Sequence, residues 1–228
     1  NLIYEVKADK LSVYPNEPIF LTYELLTRYD TRYEGFKIES QLPGFWIEDV
    51  PYAGDIERRV VKRNEFRMVW AVIRKQILYA IKPGIATIRP GTIKIGYLKQ
   101  GNFGNFFSSP VGNKNYSYLL MDSPPIEIEV KEYPAVGKPK DFTGAYGDYR
   151  ITARYGSTTE AGLIKIILTI TGAGNFYALE PPSLHLSSDL KIIDVTDAIG
   201  AETSWKDPVL RGSKTFEWTL LPSRTGDF

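Results

Sequence analysis

The sequence predicts an all-β protein that contains two related modules. Segments rich in β-branched and aromatic residues alternate with Gly, Pro, Asn and Asp, which is typical of short strands joined by turns. No window of about 12 residues combines a 3.6-residue apolar period with the caps of a helix. A pattern of strands and turns also occurs twice along the chain, which indicates a tandem arrangement.

The strand signal is strongest in six segments, which are residues 19–27, 65–73, 76–84, 125–133, 163–171 and 214–221. In "LIKIILTIT" (163–171) the even-numbered positions from Ile164 to Ile170 are all apolar, whereas Lys165, Thr169 and Thr171 lie on the opposite face. This period of two is expected of a half-buried strand.

Each copy of the repeat begins with an acidic residue, Glu17 or Glu160, followed by a long alternating strand. A segment that combines proline with a further strand comes next, at 41–50 and at 179–195, and a strand that ends in a turn closes each copy. The two copies have nearly the same length. Turn residues alone would rarely produce this agreement, so we interpret the copies as related modules.

Short strands with turns every 8 to 12 residues, in modules of roughly 100 residues, favour a β-sandwich of the immunoglobulin or fibronectin type. We therefore predict an all-β fold of two tandem Ig-like (fibronectin-like) β-sandwich domains. The first domain is placed at 1–133 with a long aromatic loop at 97–125, the junction at 134–148, and the second domain at 149–228. The second copy stops within a strand, so we expect an internal fragment whose second domain is truncated at its C-terminal end.

Composition excludes several classes of function. The chain has 28 basic and 27 acidic side chains, a net charge of +1, which argues against nucleic-acid binding as its main role. It has no cysteine, which excludes disulfides, cysteine zinc sites and thiol catalysis. No stretch approaches the roughly 20 apolar residues of a membrane helix, so we expect no direct membrane insertion by this fragment.

The sequence supplies no set of residues that predicts an active site. Its one histidine, His185, lies in "PPSLHLSSDL" without a nucleophile elbow, and we interpret it as an exposed strand residue. The glycines of "TGAGNF" (171–176) and "GAYG" (144–147) lack the helix of a phosphate-binding loop and are interpreted as turns. We predict no catalytic residue, no cofactor and no metal site, and therefore not an enzyme.

Two further features have structural interpretations. The basic run "ERRVVKRNEFR" (57–67) divides its charges between two faces of a strand, which favours a solvated hairpin over a polyanion site. Trp70 and Trp218 lie within long apolar strands, and we expect both to be core residues rather than ligand platforms.

The loop 97–125 is the strongest candidate for a contact surface. It is longer than most connections between strands, and loops of this length are commonly functional or disordered. Aromatic residues among Gly, Asn and Ser indicate a surface that binds a partner. A loop folded back over its own domain explains the same residues equally well. The candidate partner-contact residues are Phe103, Phe106, Phe107, Tyr116 and Tyr118.

The stretch "EYPAVGKPKDFTGAYGDYR" (132–150) separates the two copies of the repeat. Prolines there stiffen the crossing, and glycines permit the turn into the second module. We expect a semi-rigid joint in which Phe142, Tyr146 and Tyr149 pack between the modules. The predicted junction residues are Pro134, Pro139, Phe142, Gly144 and Gly147.

The order of several segments resembles that of the BatD family, the Bacteroides aerotolerance or oxygen tolerance proteins. The segments are "YPNEPIFLTYELLTR", "PGFWIEDV", "LYAIKPGIATIRP", "NFGNFF", "PIEIEVKEYPAVGKPKDFTGAYGDYRITA" and "ITGAGNFYALEPPSL". The residues that carry the resemblance most specifically are Pro134, Gly137, Pro139, Phe142, Gly144, Ala145 and Gly147, then Gly172, Gly174, Asn175, Pro181 and Pro182. The resemblance covers essentially the whole chain.

This resemblance implies a periplasmic protein, anchored to the inner membrane in its full-length form, whose Ig-like domains act in an envelope complex. Its implied partners are von Willebrand A domain membrane proteins encoded in the same operon, and its implied function is protein–protein interaction or scaffolding linked to oxygen tolerance. The family supplies no catalytic residue. A second hypothesis is a glycan-binding or adhesive module that uses Trp46, Tyr52 and the loop aromatics, and a third is a support for an enzyme domain outside the fragment.

Overall fold

The computed structural model describes residues 1–52, 57–98, 116–156 and 162–224. As predicted, the protein is all-β: the described residues form β-strands and a single 3₁₀ turn at Phe176–Ala178, and no helix among them is long and apolar enough to cross a membrane. The strands are β1 (Leu2–Ala8), β2 (Ser12–Val13), β3 (Pro18–Thr27), β4 (Asp30–Ile38), β5 (Phe45–Asp49), β6 (Arg58–Arg63), β7 (Phe66–Ala80), β8 (Gly84–Ile88), β9 (Thr92–Leu98), β10 (Ser117–Met121), β11 (Ile126–Val130), β12 (Gly147–Tyr155), β13 (Ile164–Gly174), β14 (Leu190–Glu202) and β15 (Arg211–Pro222).

The chain divides into two compact units. The first comprises Asn1–Tyr14 and Ile19–Glu132, and the second comprises Pro15–Pro18 and Tyr133–Phe228. The sequence places the end of the first domain at residue 133, next to this division. Residues of the predicted junction, 134–148, fall within the second unit, together with the short segment Pro15–Pro18 from near the start of the chain.

The first unit is a β-sandwich. One layer is an antiparallel sheet with the strand order β1-β3-β7-β5, and β6 pairs with the N-terminal half of β7. Two three-stranded sheets, β10-β9-β4 and β2-β11-β8, face it. Alternating residues of these sheets form one shared core, as the strand period predicts. Its fully buried members include Ile19, Leu21, Tyr23, Leu78, Ile88, Ile93, Ile95 and Ile128.

Strand β7 corrects the prediction that 65–73 and 76–84 are separate strands, because one strand runs from Phe66 to Ala80. The polar residues in its middle do not break it because they find partners. Gln76 is only 2% exposed, accepts a hydrogen bond from the Tyr23 hydroxyl (2.7 Å) and donates to Asp49 (2.8 Å). A buried polar side chain that is hydrogen-bonded in this way continues a strand as an apolar one does.

The basic run forms a hairpin, as predicted. Strands β6 and β7 pair from Arg58 opposite Ala71 to Arg63 opposite Phe66. Asn64 and Glu65 form the turn with φ values of 48° and 66°, the left-handed conformation that a two-residue hairpin of matching twist requires. The Arg59 guanidinium lies 4.1 Å from the ring centroid of Trp70, so this charge is held against the sheet.

The second unit contains one antiparallel sheet in its described part, with the strand order β12-β13-β15-β14. Its apolar face carries Phe216, Trp218 and Leu220, which are all buried. The prediction that Trp70 and Trp218 are core residues is confirmed, since they are 8% and 2% exposed.

Both units share one strand order. In the first unit, β1, β3, β5 and β7 follow one another along the chain. The sheet order β1-β3-β7-β5 places β5, the third of these four strands, at the outer position beyond β7. In the second unit, β14 is likewise the third of the four strands along the chain, and it lies outside β15 in the sheet. The repeat in the sequence therefore corresponds to a repeated four-stranded antiparallel sheet.

We predict that the first unit loses stability in acid through Glu5. The Arg63 guanidinium donates a 2.6 Å hydrogen bond to Glu5, which holds the pKa of that carboxyl below its usual value of 4.5. A lowered folded-state pKa gives stability that is present above about pH 4.5 and is lost as the pH falls through the folded pKa. Glu5→Gln should flatten this part of the stability profile in urea unfolding measured from pH 7 down to 3.

The matched control for this prediction is Glu65→Gln. The Glu65 side chain also has a basic partner, Lys62 at 3.0 Å, but it is 88% exposed. An exposed pair of this kind contributes little to stability. Equal pH profiles for the Glu5 and Glu65 variants would contradict the role of Glu5.

Candidate interaction surface

Strand β10 is an apolar strand of the first unit whose residues are mostly exposed. It lies at the end of the sheet β10-β9-β4 and, among the described residues, pairs on one side only. Tyr118, Leu119 and Leu120 are 52%, 46% and 58% exposed. An edge strand with open backbone groups and exposed apolar side chains is the kind of surface to which an extended segment of another protein binds.

The cross-strand contacts of β10 fix how its tyrosines are presented. Tyr118 lies opposite Gly96 of β9, and a Cβ atom at Gly96 would lie 3.0 Å from the Tyr118 ring and 3.3 Å from the Cβ of Tyr116. The glycine therefore makes room for both side chains. The Lys94 ammonium lies 4.3 Å from the centroid of the Tyr118 ring, which adds a cation–π contact and places a positive charge beside the apolar surface.

The structure describes two of the five predicted partner-contact residues. Tyr118 is exposed and Tyr116 is half-buried, so they differ in how much surface they offer. Phe103, Phe106 and Phe107 lie outside the described residues. Their role stays a prediction.

Sequence reasoning missed Leu119 and Leu120. The strand rule assigns alternate residues to a buried and a solvated face, whereas β10 carries apolar residues on both faces at the edge of its sheet. The signal that identifies them is the unbroken run of apolar residues from Tyr118 to Met121. This run lies within the predicted loop 97–125, and the structure corrects that prediction because Ser117–Met121 pairs with β9 as strand β10. In a strand with a solvated face, such a run indicates a contact surface.

Within the second unit, residues from three of the segments that carry the family resemblance form one hydrogen-bonded cluster. Asn16, with a positive φ of 60°, donates from its amide to the Gly144 carbonyl (3.1 Å) and accepts a bond from the Asn175 amide (3.0 Å). The Tyr133 hydroxyl lies within hydrogen-bond distance of the carbonyls of Pro15 and Gly144. Asn175 is buried, so these bonds satisfy a polar group that would be costly to leave unpaired.

The predicted junction residues have defined conformations in the second unit. The Phe142 ring packs edge-on against Tyr133 with centroids 4.8 Å apart, and the Tyr149 ring packs on Phe176 at 5.5 Å. Gly144 has a φ of 80°, which favours glycine at this turn. At Gly147 a Cβ atom would overlap the carbonyl oxygen of Ala173.

A cavity of about 500 Å³ opens on the apolar face of this sheet. Its walls combine Ile151, Leu168 and Ile170 of the sheet with Phe142 and Leu179 of the adjoining segments, and Lys140, Asp141 and Glu180 also line it. Burial raises the pKa of Tyr149, which also lines it, to about 12. The lining of the cavity therefore combines apolar side chains with charged ones.

His185 is exposed, as predicted, but it lies in an irregular segment before β14 rather than in a strand. Two prolines and a pair of serines flank its segment, and proline cannot donate to a strand ladder. Among the described residues, no group of three or more His, Asp or Glu side chains is placed to hold a metal ion.

No protein-family model matches this chain, and no curated protein sequence matches it significantly. The resemblance to the BatD family therefore stays a prediction.

Proposed function

We propose that this chain is a non-enzymatic interaction module of a BatD-like periplasmic protein, which is anchored to the inner membrane in its full-length form. The observation that carries the proposal is strand β10, which among the described residues is a sheet edge with Tyr118, Leu119 and Leu120 exposed. The order of the segments that resemble the BatD family supports the assignment to an envelope complex. In this proposal the partners are the von Willebrand A domain proteins of the same operon.

The chemistry of the surface favours a protein ligand. Aromatic and aliphatic side chains beside one lysine offer area for burial with little charge to desolvate, as in the centre of many protein interfaces. The open backbone edge adds directional hydrogen bonds for an extended segment of the partner. The predicted contact residues Phe103, Phe106 and Phe107 precede this strand in the sequence, and the proposal assigns them to the same contact.

Serine replacements at Phe106 and Phe107 test this proposal. In the full-length protein, we expect the double variant to retain less of its von Willebrand A partners on co-purification, because two aromatic contacts are lost. The matched control is the pair Leu11→Ser and Val136→Ser, which removes apolar side chains that are 59% and 95% exposed elsewhere. Partner recovery equal to that of the control would remove the loop from the proposal, and unchanged melting temperatures exclude misfolding as the cause of any loss.

A glycan-binding or adhesive module is the second candidate. Trp46 and Tyr52 are 46% and 47% exposed, which leaves part of each ring accessible to a sugar. If this candidate is right, a glycan array should give binding that Trp46→Ala abolishes. An array without binding would count against it.

A further inference from the structure

Among the described residues, no strand pairs with the outer edge of β12. This strand spans nine residues at the end of the second unit's sheet, and it pairs with β13 from Gly147 to Tyr155 without a bulge. All of its residues except Tyr149 are exposed. Strand β14 at the opposite edge is interrupted by a bulge between Ile192 and Asp194. Proteins usually block long, regular edges with proline, bulges or covering segments, so an open edge of this length indicates a pairing surface.

The hydrogen-bonding pattern between β12 and β13 shows which backbone N–H and C=O groups of β12 point away from β13. The Gly156 N–H donates to the Lys165 carbonyl (2.8 Å), and the ladder continues with Thr152 opposite Thr169. In an antiparallel pair, alternate residues bond to the neighbouring strand. The even-numbered residues of β12 therefore face β13, and Tyr149, Ile151, Ala153 and Tyr155 direct their N–H and C=O groups outward.

The charges of β12 favour a second copy as the partner and favour the register centred on Ile151 over the registers shifted by one residue. Asp148, Arg150 and Arg154 lie on the same face and form no ion pair with another described residue. When two copies of β12 pair antiparallel about Ile151, Asp148 of each copy lies opposite Arg154 of the other. Arg150 then lies opposite the neutral Thr152. A shift of the two-fold axis by one residue in either direction would place Arg150 opposite Arg150 or Arg154, and like charges directly opposite are destabilising.

The side chains on the other face of β12 fit the same register. Ile151 meets its own copy at the two-fold axis, and the large Tyr149 side chain meets the small Ala153. Ile151 and Tyr155 are 62% and 83% exposed, so pairing would cover apolar surface that is now open to solvent. We propose that the chain forms a two-fold dimer in which β12 pairs with β12 of a second copy, joining the two four-stranded sheets into one continuous sheet.

Charge reversal tests the register by sedimentation velocity on the whole chain. Asp148→Arg and Arg154→Asp should each weaken self-association at least about tenfold, because both cross-strand pairs become repulsive. An equimolar mixture of the two variants should recover the dimer, since the arginine introduced at position 148 then meets the aspartate introduced at position 154. Arg150→Asp is the matched control: it reverses a charge opposite the neutral Thr152 and should leave the dimer largely intact.

A cysteine pair gives a second, geometric readout because the chain has no cysteine of its own. With a short bis-maleimide, Ile151→Cys should cross-link into dimers, since residues paired by hydrogen bonds across an antiparallel ladder lie about 5.5 Å apart. Ala153→Cys should not, because the two copies of residue 153 are displaced by about 13 Å along the strand direction, at about 3.3 Å of rise per residue. Circular dichroism of every variant checks that the sheet is retained.

These experiments can overturn the proposal in three ways. A wild-type chain that stays monomeric up to about 1 mM excludes a dimer of useful strength. A dimer that all charge variants form equally well uses another surface. Cross-linking of the Ala153→Cys variant in place of the Ile151→Cys variant, or a mixture of charge variants that stays monomeric, rejects the register.

Discussion

Replacing Gly172 with alanine is expected to give the largest loss of stability of any single methyl group added to the second unit. Gly172 lies in the central strand β13, opposite Tyr149 on one side and Gly212 on the other. Its φ of 144° is a conformation that residues with a side chain rarely adopt, and a Cβ atom there would overlap the carbonyl oxygen of Asp148. The clash is with backbone, so no side-chain rotation relieves it.

Two costs add at this position. An unfavourable backbone conformation costs about 1–3 kcal/mol, and forcing an extra group into a packed site costs a similar amount. We therefore expect Gly172→Ala to lower the free energy of unfolding by about 3 kcal/mol or more. Urea unfolding followed by tryptophan fluorescence measures this, because Trp205 and Trp218 are buried in the same unit.

Gly200→Ala is the matched control in the same sheet. Gly200 lies in β14, and a Cβ atom there meets nothing within 4 Å. We expect a change within about 0.5 kcal/mol, as for other surface substitutions. A Gly172 variant that unfolds at the same urea concentration as the Gly200 variant would contradict the close approach of β12 and β13.

Leu78→Ala is expected to give a comparable loss in the first unit. Leu78 is fully buried in β7 and belongs to the core shared by the facing sheets. Removal of a buried leucine costs its transfer from water together with the cavity left behind, about 2–5 kcal/mol in total. Thermal unfolding followed by circular dichroism should show a correspondingly lower melting temperature.

Leu120→Ala provides the control, because it deletes the same atoms from a side chain that is 58% exposed on β10. We expect it to change the stability by about 0.5 kcal/mol or less. Equal losses for both leucine variants would mean that β10 is packed as core and would remove the basis of the interaction surface.

The sequence predicted the parts of this fold that depend on local periodicity. The alternation in 163–171 identified β13, and the repeated order of strand, proline-containing segment and strand corresponds to one strand order found in both units. The hairpin of β6 and β7 was predicted from the division of charge between two faces. These features depend on side chains a few residues apart. The periodicity of a sequence detects relations over such short distances along the chain.

What the sequence did not predict depends on contacts between distant residues. The single strand β7 was divided at Arg74 because the partners of this polar stretch, Asp49 and Tyr23, are supplied by other strands. Asn16 was not singled out, although it bonds to residues more than 100 positions away. Leu119 and Leu120 were missed because their exposure follows from the position of β10 at a sheet edge, which periodicity does not report.

The central claim is that the chain acts by binding a protein partner along β10. The most direct measurement is isothermal titration of the chain with purified von Willebrand A domains, the partner class proposed above, comparing the wild type with a Tyr118→Ser/Leu120→Ser variant. We predict measurable binding by the wild type and an affinity at least about tenfold lower for the variant, with the melting temperature unchanged, because central apolar contacts carry most of an interface's energy. Absence of binding by the wild type, or equal affinities for the two chains, would contradict the claim.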